Sequence, residues 1–183
     1  MSNPLTHEDV LAEYLVMRFE AEAYDDQDLE PLGLVTIAKA RRRDWANIIL
    51  SASNDVNPLG YRALLPGLWV LIMPTTVEPD NVCGDFTLAT HHFRILLLRD
   101  ETNDDMPGQR SAEAKDLLCR VIKKYQSFDD YLVANDRTGA SEYRCFLIED
   151  EDPDPEEAEV FAEIDPMLGV IAIDVSAVTT TQA

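Results

Sequence analysis

The stretch Leu68-Trp69-Val70-Leu71-Ile72-Met73, set between Pro66-Gly67 and Pro74, constrains the fold more than any other part of the sequence. An apolar run without polar alternation makes a strand covered on both faces, so it lies centrally in a sheet or against a partner. A second, longer pattern does alternate. From Phe86 to Arg99, the residues Phe93, Ile95 and Leu97 face one way, and His92, Arg94, Leu96 and Leu98 the other.

Two segments carry helical spacing instead. Thr6 to about Ala23 places Val10, Leu11, Tyr14, Leu15, Met17 and Phe19 on a broad apolar face, with Glu8, Glu13, Glu20 and Glu22 pointing elsewhere. Thr6 is its expected cap and Asp9 completes a short capping box. Ser111 is expected to cap a second helix running to about Tyr125, in which Ala114, Leu117, Leu118, Val121, Ile122 and Tyr125 recur at spacings of three and four. Glu113 near its start and Lys123 and Lys124 near its end match the helix dipole.

Shorter strands are expected at Leu34–Ala40, Trp45–Leu50, Tyr143–Ile148, Val160–Ile164 and Gly169–Val175, although Trp45–Leu50 also admits a helical turn. Asn54–Gly60, Pro79–Gly84 and Asp100–Gly108 read as turns and loops, and Thr179–Ala183 as a frayed end. No internal repeat or long linker divides the chain. The expectation is a single domain over residues 1–183, with an α+β fold. Its sheet is mixed and mainly antiparallel, with the N-terminal helix and a central amphipathic helix packed on it.

Charge then narrows the function. Fifteen basic against 35 acidic residues give a formal charge of -20. Binding phosphates depends on Lys and Arg releasing counterions, so wrapping nucleic acid and docking on anionic lipid are both disfavoured. Such a chain is soluble, and it suits a passage through which a polyanion slides without sticking; solubility alone is the competing explanation. No apolar run approaches the roughly 20 residues of a membrane helix. No basic region followed by an apolar stretch opens the chain, so no signal peptide is expected and a cytoplasmic product is. Cys83, Cys119 and Cys145 form no Cys-x-x-Cys; Cys119 and Cys145 read as buried free thiols.

The residues that carry chemistry are few. His91 and His92 are neighbours on a strand, so they face opposite ways and cannot ligate one metal without a bulge. Cys83 lies eight residues before His91 with no spacing that supports a nucleophile pair. Neither a Gly-x-Ser-x-Gly elbow nor a phosphate loop ending in Lys-Ser or Lys-Thr occurs. Asp150, Asp152 and Asp154 start like a calcium loop, but Pro155 replaces the glycine and Phe161 the final glutamate; Asp26, Asp28 and Glu30 fail likewise at Pro31. Loose binding of Mg²⁺ or Ca²⁺ at these clusters stays open. No catalytic residue, cofactor or dedicated metal site is expected. Lys39, Arg41, Arg42 and Arg43 form the one basic cluster; it either holds a phosphate or carboxylate, or pairs with acids of a neighbouring subunit or of the same chain.

The order of elements resembles that of the tail-terminator subunits of long-tailed bacteriophages. The resemblance covers roughly Leu65 to Val175: the apolar strand after Pro66-Gly67, the long strand closing on Arg99-Asp100, the loop with Pro107-Gly108, the helix from Ser111 and the late strands. It implies a structural virion protein of the tail-neck region, assembled in the host cytoplasm and without enzymatic activity. Its subunits would form a hexameric ring that caps the tail tube, ends tube growth and joins the tube protein to the head-tail connector. DNA would pass through without specific binding. On this pattern Lys39, Arg41, Arg42 and Arg43 become candidate subunit-interface residues. Glu149, Asp150, Glu151, Asp152, Asp154, Glu156 and Glu157 become an acidic loop facing the lumen or a neighbour. The alternatives are a small acidic binding module of the immunity or DNA-mimic anti-restriction type, and a hydrolase built on scattered carboxylates.

Overall fold

The computed structural model describes residues 7–25, 27–54, 56–79, 86–128, 140–143, 145–151, 153, 165 and 167–182. Thr6, Cys83, the strand expected at Val160–Ile164, and Asp152, Asp154, Glu156 and Glu157 lie outside these residues.

The apolar run forms β2 (Gly67–Ile72), and every residue of it is buried. β2 lies between β1 (Thr36–Arg41), parallel to it, and β4 (Phe86–Asp100), antiparallel to it. Parallel neighbours cannot be joined by a hairpin, and here α2 (Arg42–Ser51) with a 3-10 turn at Gly60–Leu64 makes the crossover. β4 pairs along its whole length with β7 (Leu168–Gln182). β3 (Thr76–Pro79) extends the β2 side of β4, while β5 (Ala140–Tyr143) and β6 (Leu147–Asp150) follow one another along the far side of β7. Among the described residues the sheet has seven strands, with β1-β2-β4-β7-β5 as its main path, mixed and mostly antiparallel, as expected for an α+β fold.

Alternation along the strands divides the core into two faces. Leu68, Val70, Ile72, Phe93, Ile95, Leu97, Ile171, Ile173 and Val175 pack under α1 (His7–Tyr24) and α3 (Pro107–Lys124). Trp69, Leu71, Leu96, Leu98 and Ala172 face Trp45 and Ile49 of α2, with Tyr61 and Leu65 beside them. Helices on both faces are therefore why β2 needs no polar side. Each large side chain so buried contributes about 1.5–3 kcal/mol. Gly67 is required at its place, because a Cβ there would lie 2.0 Å from the Trp69 ring.

Several expectations are corrected. Trp45–Leu50 is helical, within α2. β1 begins two residues later than the alternation indicated and ends at Arg41. α3 starts at Pro107 rather than Ser111, since proline's fixed φ suits a first turn that needs no amide donor; Ser111 lies inside the helix, accepting from Arg99 Nη2 at 2.8 Å. Tyr143–Ile148 is two strands, parted where Phe146 turns fully into the core and its amide donates to the Gln126 carbonyl at 2.9 Å. That break leaves Cys145 exposed, while Cys119 is buried as expected. The end expected to fray continues as strand to Gln182, with Thr179 fully buried and opposite Ala89. Glu22, expected to point away from the core, is fully buried on α1.

Candidate functional site

The basic cluster sits where β1 passes directly into α2. Lys39 and Arg41 alternate with Ala38 and Ala40, so both reach toward the acidic first turns of α1. Lys39 Nζ lies 3.3 Å from Glu13 Oε2 and donates to the Asp9 carbonyl at 3.3 Å. Arg41 meets Glu8 at 3.4 Å and Asp9 at 3.1 Å. These half-exposed pairs each add little stability, but they hold the edge strand to α1. Arg42 and Arg43 open α2, and the Arg43 side chain is 81% exposed beside Asp44. A cleft of about 530 Å³ lies here, lined by Glu8, Arg41, Arg42, Arg43, Met73 and Thr75 among others. Its lining carries three arginines and one carboxylate, with Asp9 and Asp44 beside it against Arg41 and Arg43.

Beneath the cleft runs a polar chain that sequence spacing did not reveal. Thr75 Oγ1 donates to Glu8 Oε2 at 2.8 Å and lies 3.2 Å from His91 Nδ1. His91 Nε2 lies 2.8 Å from Thr179 Oγ1. With the one hydroxyl hydrogen of Thr75 given to the carboxylate, Nδ1 carries the imidazole proton and donates to Thr75, and Nε2 accepts from Thr179. Burial holds His91 down to about 4, against the pull of Glu8 and with His7 and His92 adding to the depression. A neutral imidazole that donates toward Thr75 Oγ does not withdraw its proton, so this polarity is that of a tie between α1, β4 and β7. The signal was present only as the strand period, which correctly put His91 and His92 on opposite faces: His92 Nδ1 lies instead 3.2 Å from Glu149.

Of the predicted acidic residues, the described ones, Glu149, Asp150 and Glu151, lie at the other side of the sheet. Glu149 and Asp150 belong to β6 rather than to a loop, and Glu151 follows with Lys123 at 3.7 Å. All three are exposed. The structure thus brings Lys39, Arg41, Arg42 and Arg43 together, gathers Glu149–Glu151 separately, and leaves the two groups on opposite outer strands.

Two further charge networks join distant parts of the chain. Glu22 Oε1 accepts from Lys124 Nζ and Tyr125 Oη, each at 2.5 Å. Burial opposes its ionisation, but those donors outweigh burial and hold the carboxyl below its usual range. Asp165 accepts from Tyr61 Oη and Arg62 Nη2, both at 2.7 Å, and is pulled down to about 2 by those bonds. Its partners stand more than a hundred residues away in sequence, so only its place before Pro166 was legible. Beside this network a cleft of about 540 Å³ carries Arg99 and Arg110 with Asp100, Asp104 and Glu113, nearly balanced in charge. Among the described residues, no three His, Cys, Asp or Glu side chains converge as metal ligands.

No protein-family profile matches the chain, and no characterised protein matches it in sequence.

Proposed function

We propose that the chain is a structural, non-catalytic subunit that assembles with copies of itself into a ring of the tail-terminator kind, capping a phage tail tube and meeting the head connector. The observation that carries this reading is the set of exposed apolar side chains that flank the buried stripe of α2 and continue into the loop after it. Ile48 is 46% exposed, Leu50 41%, Val56 94% and Leu59 48%. The loop is drawn back onto the end of the helix, since Gly60 lies so close that a Cβ would meet the Ala52 carbonyl at 2.0 Å. Apolar side chains gathered in one short segment of so acidic a chain mark a surface that a protein covers. The net charge of -20 supports the same reading, because a ring of such subunits repels DNA from its walls and lets it pass.

Replacing Ile48 with Glu tests this. The side chain is outside the core, so the unfolding free energy of the variant from urea melts should stay within about 0.5 kcal/mol of the parent. The oligomer seen by sedimentation should dissociate. An oligomer of unchanged mass would remove this surface from the assembly.

A further inference from the structure

The sheet register relates the basic and acidic groups through one row of residues, beyond which the arginines lie on one side and the acids on the other because β1 and β6 run in opposite directions. Arg41 is opposite Ile72, Ile72 opposite Phe93, Phe93 opposite Val175, and Val175 opposite Ile148. One row therefore crosses the sheet from the last residue of β1 to β6. Arg42 and Arg43 follow directly at one end of the row, and Glu149, Asp150 and Glu151 at the other. With neighbouring strands about 4.8 Å apart, the two ends of the row are roughly 19 Å apart. Among the described residues, no strand pairs with the outer side of β1 or of β6.

We infer that subunits join head to tail, the Arg42–Arg43 end of one copy receiving the Glu149–Glu151 edge of the next. A second copy is the occupant that the charges select: a chain of -20 repels itself generally, and this end carries its basic cluster, opposite in sign to the Glu149–Glu151 edge. Exposed apolar groups accompany the charges at both ends, Ile48 and Leu50 on α2 and Leu147, 56% exposed, on β6. Because the two patches are different and stand on opposite strands, the contact is heterologous: each copy offers one patch to each neighbour. Such contacts propagate, and they close into a ring when the rotation per step permits. The inference rests on the ring-forming reading above and adds to it which surfaces meet.

Charge reversal separates the two. One variant carries Arg42→Glu with Arg43→Glu, the other Glu149→Arg with Glu151→Arg. All four side chains are exposed or half-exposed, and circular dichroism melts check that both variants fold. Each variant alone presents like charges at every junction, which should weaken self-association by roughly 100-fold or more. Mixed in equal amounts, the two present opposite charges at every junction and should regain the parent's mass in sedimentation. If the parent is oligomeric and both variants remain so alone, the assignment of these surfaces is overturned and the ring reading stands. If the variants are monomeric but their mixture is too, the pairing of these two patches is overturned. A parent that stays monomeric at every concentration overturns the assignment and the ring reading together.

Discussion

His91 sits between two threonine hydroxyls, Thr75 at 3.2 Å and Thr179 at 2.8 Å, with the Glu8 carboxylate 3.8 Å from Nδ1. Its folded-state value of about 4 lies below the ordinary 6.5. The unfolded chain therefore takes up the proton more readily across that interval, and stability rises with pH through it. The contribution is complete above pH 6.5 and is lost as pH falls toward 4, amounting to roughly 3 kcal/mol at 1.36 kcal/mol per unit. Urea melts at stepwise pH values should show this slope, and His91→Gln should remove most of it. An unchanged slope in the variant would assign the effect elsewhere. That the two histidines face apart followed from the strand period alone. That one of them is neutral and sealed did not, because its partners come from residues 8, 75 and 179, and Thr179 was read as part of a frayed tail. Glu22 shows the same gap: its carboxylate is stable inside only because Lys124 and Tyr125 reach it from another helix.

At the scale of elements, β2, β4 and the two long helices were legible because each displays one period over many residues. α2 was not, and its residues show why. Trp45 and Ile49, the two buried positions of α2, are four apart, a spacing that keeps them on one face of either a helix or a strand. Asn47 discriminates: a strand would turn it inward with them, whereas it is exposed. Ile49→Ala should accordingly destabilise the fold by roughly 2–5 kcal/mol, while Asn47→Ala should stay within about 0.5 kcal/mol of the parent in the same melts. A large effect at Asn47 would contradict the helix. The division of Tyr143–Ile148 into two strands was hidden for a similar reason. The turn of Phe146 into the core follows from the rings it meets, Phe128 at 4.7 Å and Phe93 and Tyr14 at 6.1 Å, which belong to other elements.

At the scale of the molecule, the basic cluster and Glu149–Glu151, the described part of the acidic run, are placed by the sheet. Composition gave their signs, and spacing placed each on a separate segment. Neither could say that β1 and β6 are the opposite outer strands, since that depends on the crossover through α2 and on the return of β7 between β4 and β6. The proposed junction would make assembly depend on salt in both directions. At low ionic strength the charge of -20 on every copy opposes association. Near 1 M salt, where the screening length falls to about 3 Å, the junction between arginines and carboxylates is weakened as well. The fraction assembled should pass through a maximum at intermediate salt; a steady rise would point to a junction held by apolar groups alone.

The proposed assembly is a closed ring of copies of this chain. Sedimentation of the purified parent protein over a range of concentrations, with negative-stain imaging of the largest species, tests it most directly. One discrete oligomer is expected, with a mass near six times 20.6 kDa, seen end-on as a ring with an open centre. A monomer that persists at high protein concentration and intermediate salt would contradict it, and would turn the reading toward an acidic module that binds a basic partner.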